Sequence, residues 1–211
     1  MKCKLVLLGL ALFFMLPQGY SQYKDLEGVF FGKVIGIAAG TNYAYYPDKN
    51  IKSGTGFVVA YNVHLNNKSI TSMRFGMQGK HTSTINDPAF TQTNTFKLNT
   101  FDASYKFGLT PDGTDQPTSV FLNIDFGVLW GKQIQTDSRY GQSENHVSKF
   151  TVGAGLTLYQ RLNDRILIYL EPVYKFNMLH SSGIFVGDYT EVKFHHLSAS
   201  LGLAFLIGKS Q

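Results

Sequence analysis

The sequence predicts an all-β protein, an eight-stranded, antiparallel, up-and-down transmembrane β-barrel that follows a cleaved signal peptide. Three observations support this prediction. Apolar residues alternate with polar or small residues at a period of two in eight segments. The connections between those segments alternate between long and short. Charged residues make up only 16% of the chain, against about 25% in a typical soluble domain.

Residues 1–21 have the layout of a secretory signal peptide. Two lysines precede an apolar run from Leu5 to Leu16, and small residues precede the expected cut after Ser21. The run is too short to cross a membrane comfortably as a helix, which needs about 20 residues. An uncleaved anchor is the alternative. Residues 22–211 are then expected to form the outer-membrane barrel domain.

Composition excludes several classes of function. The only cysteine, Cys3, lies in the signal segment, so the mature chain has no disulfide framework and no thiolate metal site. Without Lys2 and Lys4 the chain keeps 17 basic and 14 acidic residues, a net charge of +3. These charges are scattered, so nucleic acid is not an expected partner. No cofactor and no metal are expected.

The eight predicted strands follow one another along the mature chain. Val120 to Lys132 is the clearest, because Leu122, Ile124 and Phe126 alternate with Asn123 and Asp125. In chain order the predicted strands lie near 31–41, 57–65, 72–78, 101–108, 120–132, 150–158, 166–177 and 197–207.

The connections predict which rim of the barrel each strand end reaches. Long loops are expected near 42–54, 81–94, 134–147 and 180–190, tight turns at 66–68 and 163–164, and an intermediate connection at 110–118. Outer-membrane barrels have long loops on the outer rim and short turns on the periplasmic rim. Both termini are therefore expected in the periplasm. Pro172 is expected to cause a local bulge, since proline removes a ladder hydrogen bond.

The apolar strand faces are expected to point outwards into lipid. A soluble lipocalin-like barrel would have the opposite arrangement, but the polar faces here are rich in Gly, Ser, Thr and Asn, which suit a narrow lumen. By strand parity, eight charged residues point inwards: Arg74, Lys80, Asp102, Lys106, Asp125, Arg165, Glu171 and Lys175.

The inward charges are expected to pair with one another. An unpaired charge in a narrow space of low dielectric constant costs free energy. We therefore expect these residues to have a structural role, as a polar network that stiffens the barrel. Glu171 is expected to form a central pair with Arg74 or with Lys175. A proton or ion pathway is the alternative interpretation.

Aromatic residues are expected to mark both membrane interfaces, where amphipathic rings meet lipid headgroups. The predicted girdles consist of Tyr45, Trp130, Phe150 and Phe176 near the outer rim, and Phe31, Phe107 and Phe205 near the periplasmic rim.

The last strand carries a candidate sorting signal. Ser200, Gly202, Phe205 and Ile207 stand in the order polar, glycine, apolar, apolar, which resembles the C-terminal insertion signal of bacterial outer-membrane barrels. This resemblance implies that the barrel-assembly machinery is a partner during biogenesis.

The chain as a whole resembles the small outer-membrane β-barrel domain proteins of Bacteroidota, the group that includes the PorT-like proteins. The resemblance rests on the Ser21-Gln22 junction, the eight alternating strands, the GKVIGIAAG segment of the first strand and the terminal SLGLAFLI. It implies an outer-membrane location and brings no catalytic motif. Some relatives serve a secretion apparatus, so an accessory subunit of a secretion or transport assembly is one alternative function.

Two weaker patterns point to chemistry. His196 and Ser198 share one strand face and resemble the His-x-Ser pair of the outer-membrane lipid A deacylases, in which histidine takes the serine proton. A lipid A-modifying hydrolase is therefore the other alternative. A loop metal site would draw on His180, Asp188, Glu191, His195 and His196, which have no fixed ligand spacing.

The expected function is structural or loop-mediated binding, with a side-chain-filled lumen and no catalysis. The expected partners are outer-membrane lipid and an unidentified protein at the outer loops, since scaffolded loops commonly carry binding.

Overall fold

The computed structural model describes residues 34–48, 51–111, 117–177, 185–186 and 190–207. Within these ranges no helix is long and apolar enough to cross a membrane. The described strands are β1 (Val34–Tyr45), β2 (Gly54–Asn66), β3 (Ser69–Gln78), β4 (His81–Asp87), β5 (Phe90–Gly108), β6 (Thr118–Asp137), β7 (Gly141–Arg161), β8 (Ile166–Asn177), β9 (Phe185–Val186), β10 (Thr190–Glu191) and β11 (His196–Ile207).

Eight of these strands close into an antiparallel barrel. The order around the barrel is β1, β2, β3, β5, β6, β7, β8 and β11. β11 pairs with β1 from Ile207 opposite Ile35 to Leu197 opposite Tyr45, and β3 pairs with β5. Closure gives each barrel strand a partner on both sides, which removes the exposed sheet edges. The predicted fold class is confirmed.

The two rims of the barrel differ. The terminal rim holds the start of β1, the end of β11 and the short turns at 67–68 and 162–165. The opposite end, which we call the loop rim, carries β4 and the outer halves of β5, β6 and β7. Among the described strands β4 pairs with the loop-side half of β5 alone, and β9 and β10, of two residues each, pair antiparallel with each other.

The predicted long loops at 81–94 and 134–147 are wrong, because the structure places strands there. β5, β6 and β7 contain 19, 20 and 21 residues, whereas a tilted strand needs about 9–11 residues to cross a membrane. Residues 81–94 and 134–147 have polar residues on both faces of the strand, so they lack the alternation of apolar and polar residues that predicts a strand. β1 also continues to Tyr45, past the predicted end near 41.

The predicted bulge at Pro172 is wrong as well. Pro172 lies opposite Ala199 in an unbroken ladder with β11. On the β7 side the same register holds at Gly155 opposite Val173 and at Leu158 opposite Leu170, with pairing interrupted between them. β8 therefore accommodates the missing N–H by leaving out ladder hydrogen bonds without a change of register.

Side chains sort by parity between the outer surface and the interior. On β6, Leu122 and Phe126 are 40% and 41% exposed, while Asn123 and Asp125 are buried. An apolar outer face and a polar interior are the arrangement of a transmembrane barrel. On β7 the outward residues on the loop side of Phe150 are polar, from Ser148 to Gln142, and on β6 Lys132 follows Trp130, which marks the loop-side boundary of the apolar band.

The interior contains a layer of charged side chains between two apolar clusters, and buried polar side chains such as Gln92, Asn94 and Gln133 lie farther towards the loop rim. Charged side chains occupy the middle of the barrel. The terminal-rim layer contains Ala38, Ile70, Phe121, Tyr159, Leu167, Tyr169 and Ala204. The loop-rim layer contains Ala44, Tyr46, Ile51, Phe96, Leu98, Leu129, Val147, Val192 and Phe194. Tyr46 and Ile51, which follow β1, and Val192 and Phe194, which precede β11, thus lie inside the barrel over the charged layer.

Candidate functional sites

The middle layer is a compact network of charged side chains. Its members come from four strands and are each at most 6% exposed; they are Arg74 on β3, Asp102 and Lys106 on β5, Asp125 on β6, and Glu171 and Lys175 on β8. The structure therefore brings together the six inward charges that parity predicts for the middle of the barrel. Three positive and three negative groups leave no formal net charge.

Arg74 is the centre of this network. Its guanidinium forms ion pairs with Asp125 and Glu171, and its Nε lies 3.7 Å from Asp102 Oδ2. Glu171 also pairs with Lys106, and Asp102 pairs with Lys175. The structure selects Arg74, and not Lys175, as the partner of Glu171, because Lys175 lies beside Asp102. Each charge thus has an opposite charge in contact.

Neutral groups complete the network. Thr157 Oγ1 donates a hydrogen bond to Glu171 Oε2 at 2.7 Å, and Asn123 Nδ2 donates to Thr157 Oγ1 at 2.7 Å. Gly127 leaves room for the Asp102 carboxylate, since a Cβ at this glycine would overlap Asp102 Oδ1. A cavity beside Arg74 has room for about one water molecule. The ion pairs and hydrogen bonds of the network connect β3, β5, β6, β7 and β8 across the interior.

Two inward predictions are wrong. Lys80 and Arg165 are both exposed. Lys80 lies between β3 and β4, where the chain leaves the ladder and the alternation restarts. Arg165 lies in the turn before β8, so its side chain never enters the lumen.

The candidate insertion signal lies along the seam between β11 and β1. Ser200 is buried, while Phe205 and Ile207 are 46% and 54% exposed on the outer face. Gly202 pairs with Gly40, and a Cβ at Gly202 would overlap the carbonyl oxygen of Ala39. A glycine is therefore required at this point for the close approach of the two strands.

The predicted aromatic girdle residues occupy the outer wall. Four are exposed, and two, Trp130 and Phe150, are half-buried. Trp130 packs against Phe75 with ring centroids 5.9 Å apart. Phe31 and the predicted signal peptide lie outside the described residues. The exposed members are Tyr45, Phe107, Phe176 and Phe205.

His196 and Ser198 do not form a nucleophile and base pair. His196 Nδ1 lies 3.0 Å from the carbonyl oxygen of Phe194, while Ser198 Oγ donates to Asn42 Oδ1 at 2.8 Å. Both side chains are buried in the lumen, away from the lipid-facing surface. A hydrolase would need a hydrogen bond between these two groups.

The residues named for a loop metal site are only partly described. His195 Nδ1 accepts a hydrogen bond from the Asn177 backbone N–H at 3.0 Å. His180, Asp188 and the side chain of Glu191 lie outside the description. Among the described residues no group of three or more His, Cys, Asp or Glu side chains is placed to hold a metal ion.

At the ends of the longest described strands lies a structure that we call the hairpin tip, formed by Phe90, Thr91 and residues 137–141. The Ser138 N–H donates to the Thr91 carbonyl at 3.0 Å, and the Thr91 N–H donates to Ser138 Oγ at 3.1 Å. These bonds tie the β4–β5 turn to the β6–β7 turn. Gly141, with φ of +80°, provides the left-handed conformation that the second turn needs.

Arg139 organises the hairpin tip. Its backbone N–H and its guanidinium donate to the Asp137 carboxylate, and these hydrogen bonds hold the pKa of Asp137 below its usual value. The guanidinium also lies 3.7 Å from the ring centre of Phe90 and 4.9 Å from that of Tyr140. Tyr140 itself is 81% exposed.

Sequence reasoning missed the hairpin tip. Its residues fall in the predicted 134–147 loop, and the Asp-Ser-Arg-Tyr-Gly order at 137–141 was the available signal for a turn. That order does not reveal the contact with Phe90, which lies far away along the chain.

Comparisons with known proteins identify the fold. Ail, the attachment invasion locus protein of Yersinia pestis, is similar with a TM-score of 0.54 and 14% identity, over 83% of this chain and 99% of that one. A major outer membrane protein from Thermus thermophilus is similar with a TM-score of 0.56 and 12% identity, over 82% of this chain and 99% of that one. OprG from Pseudomonas aeruginosa is similar with a TM-score of 0.55 and 10% identity, over 84% of this chain and 97% of that one. No protein-family model and no curated protein matches the chain.

These likenesses cover nearly the full length of each similar barrel. At such low identity they establish the outer-membrane type of β-barrel fold, and no shared activity follows from them.

Replacing Glu171 by Gln is expected to lower the unfolding midpoint of the barrel strongly. The change leaves Arg74 and Lys106 with too little negative charge in a buried site, and breaking a buried pair costs about 3–5 kcal/mol. The midpoint can be measured by the heat-modified shift on gels. Glu144→Gln is the control, because its pair with Lys132 is exposed and its loss should change the midpoint little.

A second variant tests whether the loss of stability comes from the unbalanced charge or from the altered packing of the network. Glu171→Gln combined with Lys106→Met restores the charge balance, so it should recover part of the lost stability. Equal midpoints for Glu171→Gln and Glu144→Gln would contradict a central role for the network.

Proposed function

We propose that the chain is an outer-membrane barrel of a Gram-negative bacterium that binds a protein partner through its hairpin tip. In this proposal the loop rim faces the exterior and both termini lie in the periplasm. The barrel acts as a rigid support, with neither solute conduction nor catalysis.

The observation that supports this proposal most directly is the exposed side chain of Tyr140 on the hairpin tip, whose two turns are joined by hydrogen bonds. Tyrosine and arginine dominate the energetics of protein interfaces, and a side chain held in place before binding loses little conformational freedom. Arg139 is already fixed by Asp137 and Phe90. A barrel with a purely structural role would not need strands of about twice the length required to cross the membrane.

Three features support the proposed location. The outward faces are apolar over a band and turn polar at the loop side. Phe205 and Ile207 lie on the closing strand, where the barrel-assembly machinery would read an insertion signal. The PorT-like pattern of the sequence favours a bacterium of the Bacteroidota and leaves room for a partner in a secretion assembly.

The proposed orientation predicts which rim can be labelled from outside the cell. The mature chain has no cysteine, so Ser138→Cys at the hairpin tip and Asn67→Cys at the terminal rim each provide a single thiol. A membrane-impermeant maleimide should label Ser138→Cys on intact cells, and Asn67→Cys only after permeabilisation. Labelling of Asn67→Cys alone on intact cells would show that the orientation is reversed.

A photo-crosslinking residue at Tyr140 is expected to capture the partner in native cells. We expect a discrete adduct of higher mass on gels, because Tyr140 protrudes from a rigid support. The same residue placed at Leu162, which is 57% exposed on the terminal rim, is the matched control. No adduct at Tyr140, or an identical adduct at both positions, would refute the proposed function.

A further inference from the structure

A row of basic side chains crosses the outer wall of the extended strands. Lys97 on β5 lies opposite Lys132 on β6, and Lys132 lies opposite His146 on β7. Lys80 immediately precedes the first residue of β4, His81, whose partner is Phe96, the residue next to Lys97, so Lys80 lies near Lys97 although it is outside the ladder. We call these four residues the basic row.

All members of the basic row are accessible on the outer wall. Lys80, Lys97 and His146 are exposed, and the Lys132 side chain is 40% exposed. Neighbouring positions across the strands lie about 5 Å apart. The row therefore presents several cationic groups along one line about 15 Å long.

The charges of the basic row are not balanced by the protein. Lys132 Nζ lies 2.9 Å from Glu144 Oε2, whereas Lys80 and Lys97 form no ion pair with any residue within the described ranges. Like charges placed directly opposite each other destabilise a sheet, so Lys97 opposite Lys132 is unfavourable by itself.

The neighbouring positive charges lower the pKa of Glu144. The hydrogen bond from Lys132 lowers the pKa of the Glu144 carboxyl, and the nearby charges of Lys132, His146 and Lys97 lower it further. One carboxylate against three lysines leaves positive charge on the wall.

The position of the basic row along the strands places it next to the apolar band of the outer wall. The next outward residue of β6 towards the terminal rim is Trp130, which is about 7 Å away along the strand and packs against Phe75. Tryptophan is enriched where the hydrocarbon meets the headgroups. The row therefore lies one step beyond the apolar band, at the level of lipid headgroups.

We propose that the basic row binds the phosphate groups of anionic lipids in the leaflet at the loop rim. Phosphate supplies the negative charge that the wall lacks, and a headgroup reaches this height while its acyl chains contact the apolar band below. This site goes beyond the proposed function, since it lies on the outer wall and does not involve the hairpin tip.

The test uses Trp130, the only tryptophan of the chain, as a reporter next to the row. Lipid A carrying two phosphates is titrated into dodecyl maltoside micelles that contain the full barrel, and the change in tryptophan fluorescence gives the affinity. The Lys80→Gln/Lys97→Gln variant should bind about thirtyfold more weakly, since each lysine near an anionic surface contributes about 1 kcal/mol and 1.4 kcal/mol is a tenfold change. Lys68→Gln/Arg165→Gln, on the terminal rim, should bind like the original chain.

The unfolding temperature with and without lipid A provides a second test, because a merely structural role of the two lysines would not make their effect depend on the lipid. In micelles without anionic lipid, Lys80→Gln/Lys97→Gln should unfold at the same or a higher temperature, because like charges are removed. With lipid A present, the original chain should become the more stable of the two.

The lipid site would be overturned by unchanged affinity in the Lys80→Gln/Lys97→Gln variant, by an equal loss in the terminal-rim variant, or by equal binding of phosphatidylcholine. Inorganic phosphate at the same concentration should give no fluorescence change. An equal response to inorganic phosphate would identify a site for free anions instead and would also overturn the proposal.

Discussion

The structure depends on neutralising charge inside a narrow barrel. Arg74 cannot lie in the middle of the lumen without negative partners, because an uncompensated buried charge costs several kcal/mol. Asp125 and Glu171 supply those partners from other strands. The network therefore does more than fill space, because it ties β3 to β6 and β8 across the interior.

The apolar layers above and below the network follow from this arrangement. They keep water away from the ion pairs, which strengthens the attraction between the charges. At the loop rim, Ile51 and Phe194 fold inwards from the connections and join Phe96 and Leu129. The same packing supports the walls of β5, β6 and β7, and so provides the rigid base on which the hairpin tip and the basic row lie. Both proposed binding surfaces lie on this base, one at the rim and one on the outer wall.

Much of the fold could be predicted from sequence because the membrane imposes a strict alternation. In β6, Leu122 and Phe126 face lipid while Asn123 and Asp125 face the lumen, and this contrast identifies both the strand and its faces. The contrast disappears where a strand leaves the membrane. Gln92 and Thr93 on β5 are both polar, so the sequence predicts a loop in the loop-side part of that strand.

The charged residues show the same limit. Parity correctly assigns Arg74 and Glu171 to the interior, but Lys80 follows a break in the ladder, and parity carries no information across it. Which charges meet is set by the stagger between strands, and sequence periodicity does not contain the stagger. Arg74 is paired in register with Asp102 and yet also reaches Glu171 on β8. The contact between Phe90 and Arg139 is hidden for the same reason.

The central claim is that a neutral network between two apolar layers closes the lumen and leaves the rim as the functional surface. Conductance recordings of the purified barrel in a planar lipid bilayer test this claim most directly. We expect a current that does not differ from that of the bilayer alone. Stable, stepwise ion conductance by the folded barrel would contradict it.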